Sequence, residues 1–533
     1  MEIFNDINLF YYRNRQLRNC FLFFFFIAIC GYISLMVSFC PYSDDYCRYL
    51  ANLHIGTSDA LRNVTFLLER LFYLSDVITD AAPFTHIISC LLLAYSACVC
   101  LRTFKVNITN KWEAFCFAPV IINPYIFEIM MYRFDNPFIT LALLIAILSA
   151  YISSKNEKRW LFVQTALLFL TLFIYQAVIS AYLIIFLYKF VTELLHSNIN
   201  LFQTVNKMKY WFCTLFFTAL FYAPFTLFLS YCTSAKNGVF VIPYNLENIK
   251  IIIENICRYF SILYTDWSPN TIGQIFFAML FIFLMNTIIK TAIKTKPTIA
   301  HIITVSFCLF LLTLSPSGVY ALLRVAVFEG NESIFPRMLC SIGILISLVL
   351  HENYLLFKQI KITGNFFAFL LVIFNFWNIV FLNSASNIIH YFRSVQQHAA
   401  YDISKDIFDI TNVNKKISRV CITGSIETEA TKNFFKEYPI MDRIIPEKWC
   451  IPTYCQIALM NNEFAKQILE LPPITKIYKE NEYSTKKQIK THMFYETFII
   501  DDNLLLVSMK KNIKFKSSFH SMIRIKSEKD TKE

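Results

Sequence analysis

Apolar residues run in blocks of about 20, the length that crosses a bilayer, and polar residues collect between the blocks instead of alternating with them. The blocks fall near 20–40, 83–101, 113–127, 137–153, 160–175, 177–193, 210–231, 271–290, 298–316, 336–356 and 365–383. The stretch 160–188 is too long for one span and carries Tyr175-Gln176 at its centre, so the pattern divides it there into two short helices. Beyond 383 the apolar runs shorten, and Pro, Lys and Glu rise. There 390–410 has helical spacing, 419–423 reads as a strand running into Gly424, 427–437 and 455–469 read as helices, and 498–507 as a hairpin around an Asp/Asn turn. The predicted fold class is an all-α polytopic membrane protein of about eleven transmembrane helices, with a small C-terminal α/β domain. Its expected organisation is a transmembrane domain at 1–383, an α/β domain at 384–510, and a basic tail at 511–533 that is expected to be disordered.

Composition strengthens this reading. The chain has 533 residues, 56% hydrophobic and 16% charged, with a mean hydropathy of +0.48; a soluble chain carries about 25% charged residues. The net charge of +12 would suggest nucleic acid in a soluble protein. Here it fits the Lys and Arg that orient membrane proteins, and no nucleic-acid partner is expected. All cysteines except Cys421, Cys450 and Cys455 lie within or near the spans, where they behave as small apolar residues. Cys450 and Cys455 are close enough in sequence for a disulfide in an oxidising compartment, with Cys421 as an alternative partner. No zinc spacing, phosphate loop, DxD metal motif or nucleophile elbow appears, so no metal or cofactor is expected.

Arg13, Arg15 and Arg18 precede the first block, and further basic residues gather at Arg102 and Lys105, at 155–159, at Lys207 and Lys209, at 290–296, and at Lys358 and Lys361. This bias predicts a cytoplasmic N-terminus. An odd number of spans then sends the C-terminal domain to the outer face. The outer loops are the chemically rich ones. Residues 41–82 carry Asp44, Asp45, Arg48, Glu69, Arg70 and Asp76; residues 317–337 carry Arg324, Glu329, Glu332 and Arg337; and 249–263 reads as an amphipathic helix lying on the membrane surface.

Several of these residues have two readings. Asp44 and Asp45, just outside the first span, are either solvated loop acids or a general base beside a lipid substrate, with one of them positioning Arg48. Glu128, Arg133 and Asp135 lie at a span boundary, where charge is costly. They form either an internal ion pair, Arg133 with Asp135 or Glu128, or a polar cluster facing the same cavity. Tyr175 and Gln176 are a helix-packing hydrogen bond or a sugar or phosphate contact. Arg324 and Arg337 either snorkel to headgroups or hold a lipid-linked phosphate through the planar guanidinium.

In order and spacing, an Arg-rich N-terminus, Asp44-Asp45-Tyr46-x-Arg48, Tyr132-Arg133-Phe134-Asp135-Asn136-Pro137, Tyr175-Gln176, and a tail with Ile422-Thr423-Gly424, Tyr438-Pro439, Ile445-Pro446 and Leu471-Pro472 resemble the Gtr type II glucosyltransferases. These are bacterial membrane enzymes that modify O-antigen of lipopolysaccharide and often cause serotype conversion. The resemblance implies a GT-C-like fold in the inner membrane, with the C-terminal domain periplasmic. It implies undecaprenyl-phosphate glucose as donor, a sugar of lipid-linked O-antigen as acceptor, and a functional link to a flippase and a polyprenyl-phosphate glucose synthase. Asp44 or Asp45 then matches the acidic residue of the first periplasmic loop, while Arg133 with Asp135 and Tyr175 with Gln176 match further motif positions. Leu68-Glu69-Arg70 departs from the family pattern, in which a Gly-Arg pair is expected. Alternatives are transfer of another sugar, an O-antigen polymerase or ligase, and, from another class, a flippase or transporter. A polymerase or ligase would favour a long loop between spans, and a transporter inverted repeats; neither stands out here.

Overall fold

The computed structural model describes residues 15–38, 42, 45, 63–75, 78–155, 157–196, 201–233, 246–294, 299–322, 335–414, 419–423, 426, 428–445, 486–501 and 504–510. The chain forms two compact units, Met1–Asn387 and Ile388–Glu533.

The first unit is helical. In chain order its elements are α1 (Arg15–Val37), α2 (Asn63–Tyr73), α3 (Phe84–Thr103), α4 (Lys111–Phe115), α5 (Pro124–Met131), α6 (Asn136–Ser153), α7 (Leu161–Ile174), α8 (Ile179–His196), α9 (Leu201–Lys207), α10 (Lys209–Thr233), α11 (Leu246–Trp267), α12 (Thr271–Lys294), α13 (Ile299–Leu314) and α14 (Ile342–Phe357), followed by α15 (Lys361–Val413), which contributes to both units. Large apolar side chains such as Phe26, Phe162, Ile293 and Phe369 remain exposed along these helices, as lipid-facing surfaces require.

Seven helices among the described residues are long and apolar enough to cross a membrane, or eight if the bent pair Lys111–Val120 and Pro124–Met131 counts as one span. Eleven were expected; among the described residues some of the predicted runs do not form one full-length helix. The run at 113–127 bends by 53° where α5 begins. There Asn123 caps the helix, accepting from the Tyr125 and Ile126 N–H groups at 3.0 and 3.2 Å, and Pro124 at the first helical position has no N–H to continue the preceding turn. Tyr175 adopts extended backbone and ends α7 after 14 residues, at the break the pattern predicts. α14 has only 16 residues, whereas the run at 210–231 does form one continuous helix of 25 residues, α10.

The core of the unit is α3, which packs on α1 and α6, and α7 packs on α6 in turn. Polar anchors fix the register. Tyr32 donates to the Ile121 carbonyl at 2.8 Å, Ser89 donates to Asn136 Oδ1 at 3.0 Å, and Asn383 accepts from Ser34 Oγ at 2.6 Å. Gly343 of α14 sits where a Cβ would come within 2.2 Å of the Pro119 carbonyl oxygen, so only glycine allows this helix to reach the bend.

The second unit has a four-stranded sheet in the order β1-β4-β3-β2, from β1 (Arg419–Thr423), β2 (Lys487–Thr491), β3 (Tyr495–Asp501) and β4 (Leu504–Met509). β1 runs parallel to β4, and the other pairings are antiparallel. β1 and the β3–β4 hairpin lie where the pattern predicts them, and β2 is an addition. Ala399, Ile403 and Ile407 of α15 bury one face of the sheet against Tyr495, Leu505 and Val507. α16 (Glu429–Glu437) begins in a capping box formed by Thr428 and Thr431, and α17 (Ile440–Ile444) follows. The predicted helix at 455–469, Cys450, Cys455 and the tail from 511 lie outside the described residues.

Candidate functional site

At one end of the first unit, three connecting regions far apart in sequence meet the short helix α5 and the residues just after it. From the first connection, the fully buried Asp45 carboxylate accepts a 2.5 Å hydrogen bond from the Arg133 backbone N–H. The Arg133 side chain reaches back to the same region. Its Nε donates to Asp80 Oδ2 at 2.8 Å and its Nη1 to the Ser38 carbonyl, also at 2.8 Å. The Arg133 and Asp80 side chains are only 6% and 12% exposed, so this is a desolvated pair whose partners hold each other in place.

From the connection before α14 comes Arg337. Its Nη1 lies 2.9 Å from Glu128 Oε1, and its backbone N–H donates to Glu128 Oε2 at 2.8 Å. The guanidinium also bonds the Tyr132 hydroxyl and lies over the rings of Tyr132 and Phe335, 5.0 and 4.5 Å from their centroids. Tyr42 links the Glu128–Arg337 pair to Asp45. Its hydroxyl donates to Glu128 at 3.2 Å, its ring meets Tyr132 edge-on at 4.9 Å, and its carbonyl accepts from the Asp45 N–H.

The third connection contributes α11. This is the amphipathic helix the spacing predicts, extended to 22 residues, and one face of it is packed. Tyr259 donates to the Thr313 carbonyl, while Asp266 accepts from the Tyr125 hydroxyl of α5 at 2.8 Å. A single eight-residue helix and its C-terminal turn thus take up Asp266, Arg337, Asp45 and Asp80.

Of the residues singled out in the sequence, Asp45, Glu128, Arg133 and Arg337 come together here. Asp135 ends the turn before α6, and its carbonyl accepts from Phe138 and Ile139. Arg133 had two readings, an ion pair with Asp135 or Glu128 and a polar cluster near the first-loop acids. These contacts are of the second kind: its backbone N–H holds Asp45 and its guanidinium holds Asp80. Glu128 is matched with Arg337. Tyr175 is buried at the end of α7, Gln176 bonds the Tyr222 hydroxyl, and the turn Gln176–Val178 packs against Pro336–Leu339 beside Arg337. Glu69 is fully buried on α2. Asp44, Arg48 and Arg324 lie outside the described residues, as do Asp76, Glu329 and Glu332.

Sequence reasoning passed over Asp80, Tyr42, Tyr132 and Asp266 as functional candidates. It also passed over a second cluster. Glu113, on α4, accepts from Lys358 Nζ at 2.8 Å and from Asn110 Nδ2 at 3.2 Å, with His351 3.7 Å away. The segments 111–131 and 337–358 are thus joined by an ion pair at each end, Glu113 with Lys358 and Glu128 with Arg337. One sign was available in the sequence: Glu113 and Lys358 each flank an apolar block.

An uncharacterized 55.3 kDa protein from the gtrB 5' region of Salmonella phage P22 is 24% identical to this chain over 135 residues, covering 25% of the chain and 28% of that protein. The chain therefore spans little more than a quarter of the length of this relative. No solved structure matches. The family model for the glucosyl transferase GtrII matches residues 33–346, which include Asp45, Asp80, Glu128, Arg133 and Arg337, and the chain belongs to that family.

Proposed function

We propose that the chain transfers a glucosyl residue from undecaprenyl-phosphate glucose to a sugar of lipid-linked O-antigen at the periplasmic face of the bacterial inner membrane. The observation that carries this reading is the meeting of a first-loop carboxylate, Asp45, with Arg133 and Arg337 around α5. A polyprenyl phosphate keeps its tail in the bilayer and offers its anomeric carbon at the surface, next to loops of this kind.

In this reading a hydroxyl oxygen of the acceptor attacks the anomeric carbon while the bond from that carbon to the phosphate oxygen breaks. The hydroxyl proton passes to a first-loop carboxylate, Asp45 or its neighbour Asp44. The electron pair of the broken bond leaves with polyprenyl phosphate, and direct displacement inverts the anomeric centre. Phosphate is a good leaving group, so a fixed cation near it is sufficient to stabilise the developing charge. Tyr175 and Gln176, whose turn packs beside Arg337, and Asp135 are candidate sugar or phosphate contacts in this reading. The N-terminus is cytoplasmic and the unit after residue 387 periplasmic, an orientation supported by basic residues such as Lys358 at the Glu113 end.

Membranes containing the chain, given radiolabelled undecaprenyl-phosphate glucose and lipid-linked O-antigen, should yield labelled O-antigen. Transfer only from a different sugar carrier, or movement of the donor across vesicles without transfer, would overturn the reading.

A further inference from the structure

We infer that Glu128 is a positioning residue that fixes Arg337 for the donor phosphate, and that Arg133 does not serve as the phosphate ligand. The inference rests on the transferase reading above and divides labour between its two described arginines. Glu128 is fully buried, and each of its oxygens is engaged by Arg337, one by the backbone N–H and one by the guanidinium, with Tyr42 adding a third donor. A carboxylate held this way has its charge compensated and three donors on its two oxygens, so it acts through its partner and not on substrate.

Clamping backbone and side chain of one residue through one carboxylate fixes where the guanidinium points. The rings of Tyr132 and Phe335 close over it. An arginine that merely snorkels to headgroups needs none of this. The Arg337 side chain keeps 20% of its surface exposed, against 6% for Arg133. Arg133 is committed to Asp80 and the Ser38 carbonyl while its backbone holds Asp45, so it organises the carboxylate side of the site. Arg337 stays reachable and is held rigid, as a group must be if it stabilises charge without reorganising.

The test uses the full-length chain in membranes, with initial rates measured against donor and acceptor separately for wild type, Glu128→Gln, Glu128→Asp, Arg337→Ala and the Glu128→Gln/Arg337→Ala double variant. Loss of a charge-assisted hydrogen bond should raise the donor KM about tenfold or more in Glu128→Gln, with kcat at saturating donor largely retained and acceptor KM unmoved. Glu128→Asp should recover part of the loss, and the double variant should be no worse than Arg337→Ala. A rise in acceptor KM, or losses that multiply in the double variant, would overturn the assignment.

A second readout does not depend on transfer. Undecaprenyl phosphate should protect Arg337 from an arginine-directed dicarbonyl reagent, read by peptide mass spectrometry, and leave Arg133 labelling unchanged. Protection of Arg133 instead, or of neither, removes the phosphate role even if glucose is transferred. Protection of Arg337 in a protein that transfers no glucose keeps the phosphate site and overturns only the donor or reaction assigned above.

Discussion

The Asp45 carboxylate accepts its 2.5 Å hydrogen bond from the backbone N–H of Arg133, 88 residues further along the chain. That contact joins the first loop to the turn after α5 and places an acid in the site. Asp45→Asn keeps the shape and removes the basicity. If Asp45 is the base, this change should lower glucosyl transfer by about 10²–10⁴-fold at unchanged expression, with Asp44→Asn milder. Normal O-antigen modification by both variants would exclude a first-loop base.

Asp80→Asn should act mainly on stability. It removes the Asp80 carboxylate from a desolvated pair, and breaking a buried pair costs about 3–5 kcal/mol. The variant should unfold at a lower temperature in detergent and lose activity in proportion. An unchanged melting temperature would mean that the pair contributes nothing.

Gly343→Ala tests the fit of α14 on the bend. The added methyl meets the Pro119 carbonyl oxygen at 2.2 Å and Asn123 Nδ2 at 2.6 Å. Overpacking of this kind costs about 1–3 kcal/mol, so we expect lower thermal stability and, because Asn123 caps α5, weaker donor binding. Wild-type stability would show that the helix can move aside.

Topology is checked by fusions at residue 395. An alkaline phosphatase fusion there should be active and a fluorescent protein dark, as expected for a periplasmic second unit. The reverse pattern would place that unit in the cytoplasm and change the parity of the spans.

Tyr495 gives a pH prediction. Burial, and then the hydrogen bond to Asp406 and its negative charge, push the Tyr495 phenol well above its ordinary range. A folded pKa above the unfolded value, about 10 for tyrosine, means its contribution is fully present below that pH. The contribution is lost as the pH rises through the folded value. Hydrogen exchange in β3 and β4 should therefore speed up at alkaline pH in wild type. Tyr495→Phe should exchange faster at neutral pH and show less of the alkaline increase. Equal pH profiles would disprove the linkage.

The sequence was most legible where structure is local. The extended Tyr175 that ends α7 belongs to a polar pair in an apolar run, and β3 and β4 pair as Asp501 with Leu504 on either side of the Asp/Asn positions the sequence marks. The bend at Asn123-Pro124 was written in residues whose cap and missing N–H act within one turn, yet hydrophobicity alone ran across it. Partner choice was less readable. Arg133 has Asp135 two residues away and Glu128 five away, but its side chain pairs with Asp80, 53 residues earlier. The tertiary fold, not the local sequence, brings that carboxylate near. Asp80 was not singled out among the acids of that loop, and nothing local distinguishes it.

The two ion pairs on segments 111–131 and 337–358 bear on how the chain is built into its membrane. With 16 residues, α14 measures about 24 Å, short of the roughly 30 Å of hydrocarbon, and it has charged residues at its borders. The bent segment it packs against is interrupted as well. Neither is well suited to leave the translocon alone, and the second is synthesised long after the first. The earlier segment must therefore wait, shielded by neighbours such as α1 and α3, until α14 arrives with the matching charges. Assembly of this end of the bundle then becomes a late event in synthesis, and nascent chains truncated before residue 337 should leave the first segment loosely inserted and open to proteolysis.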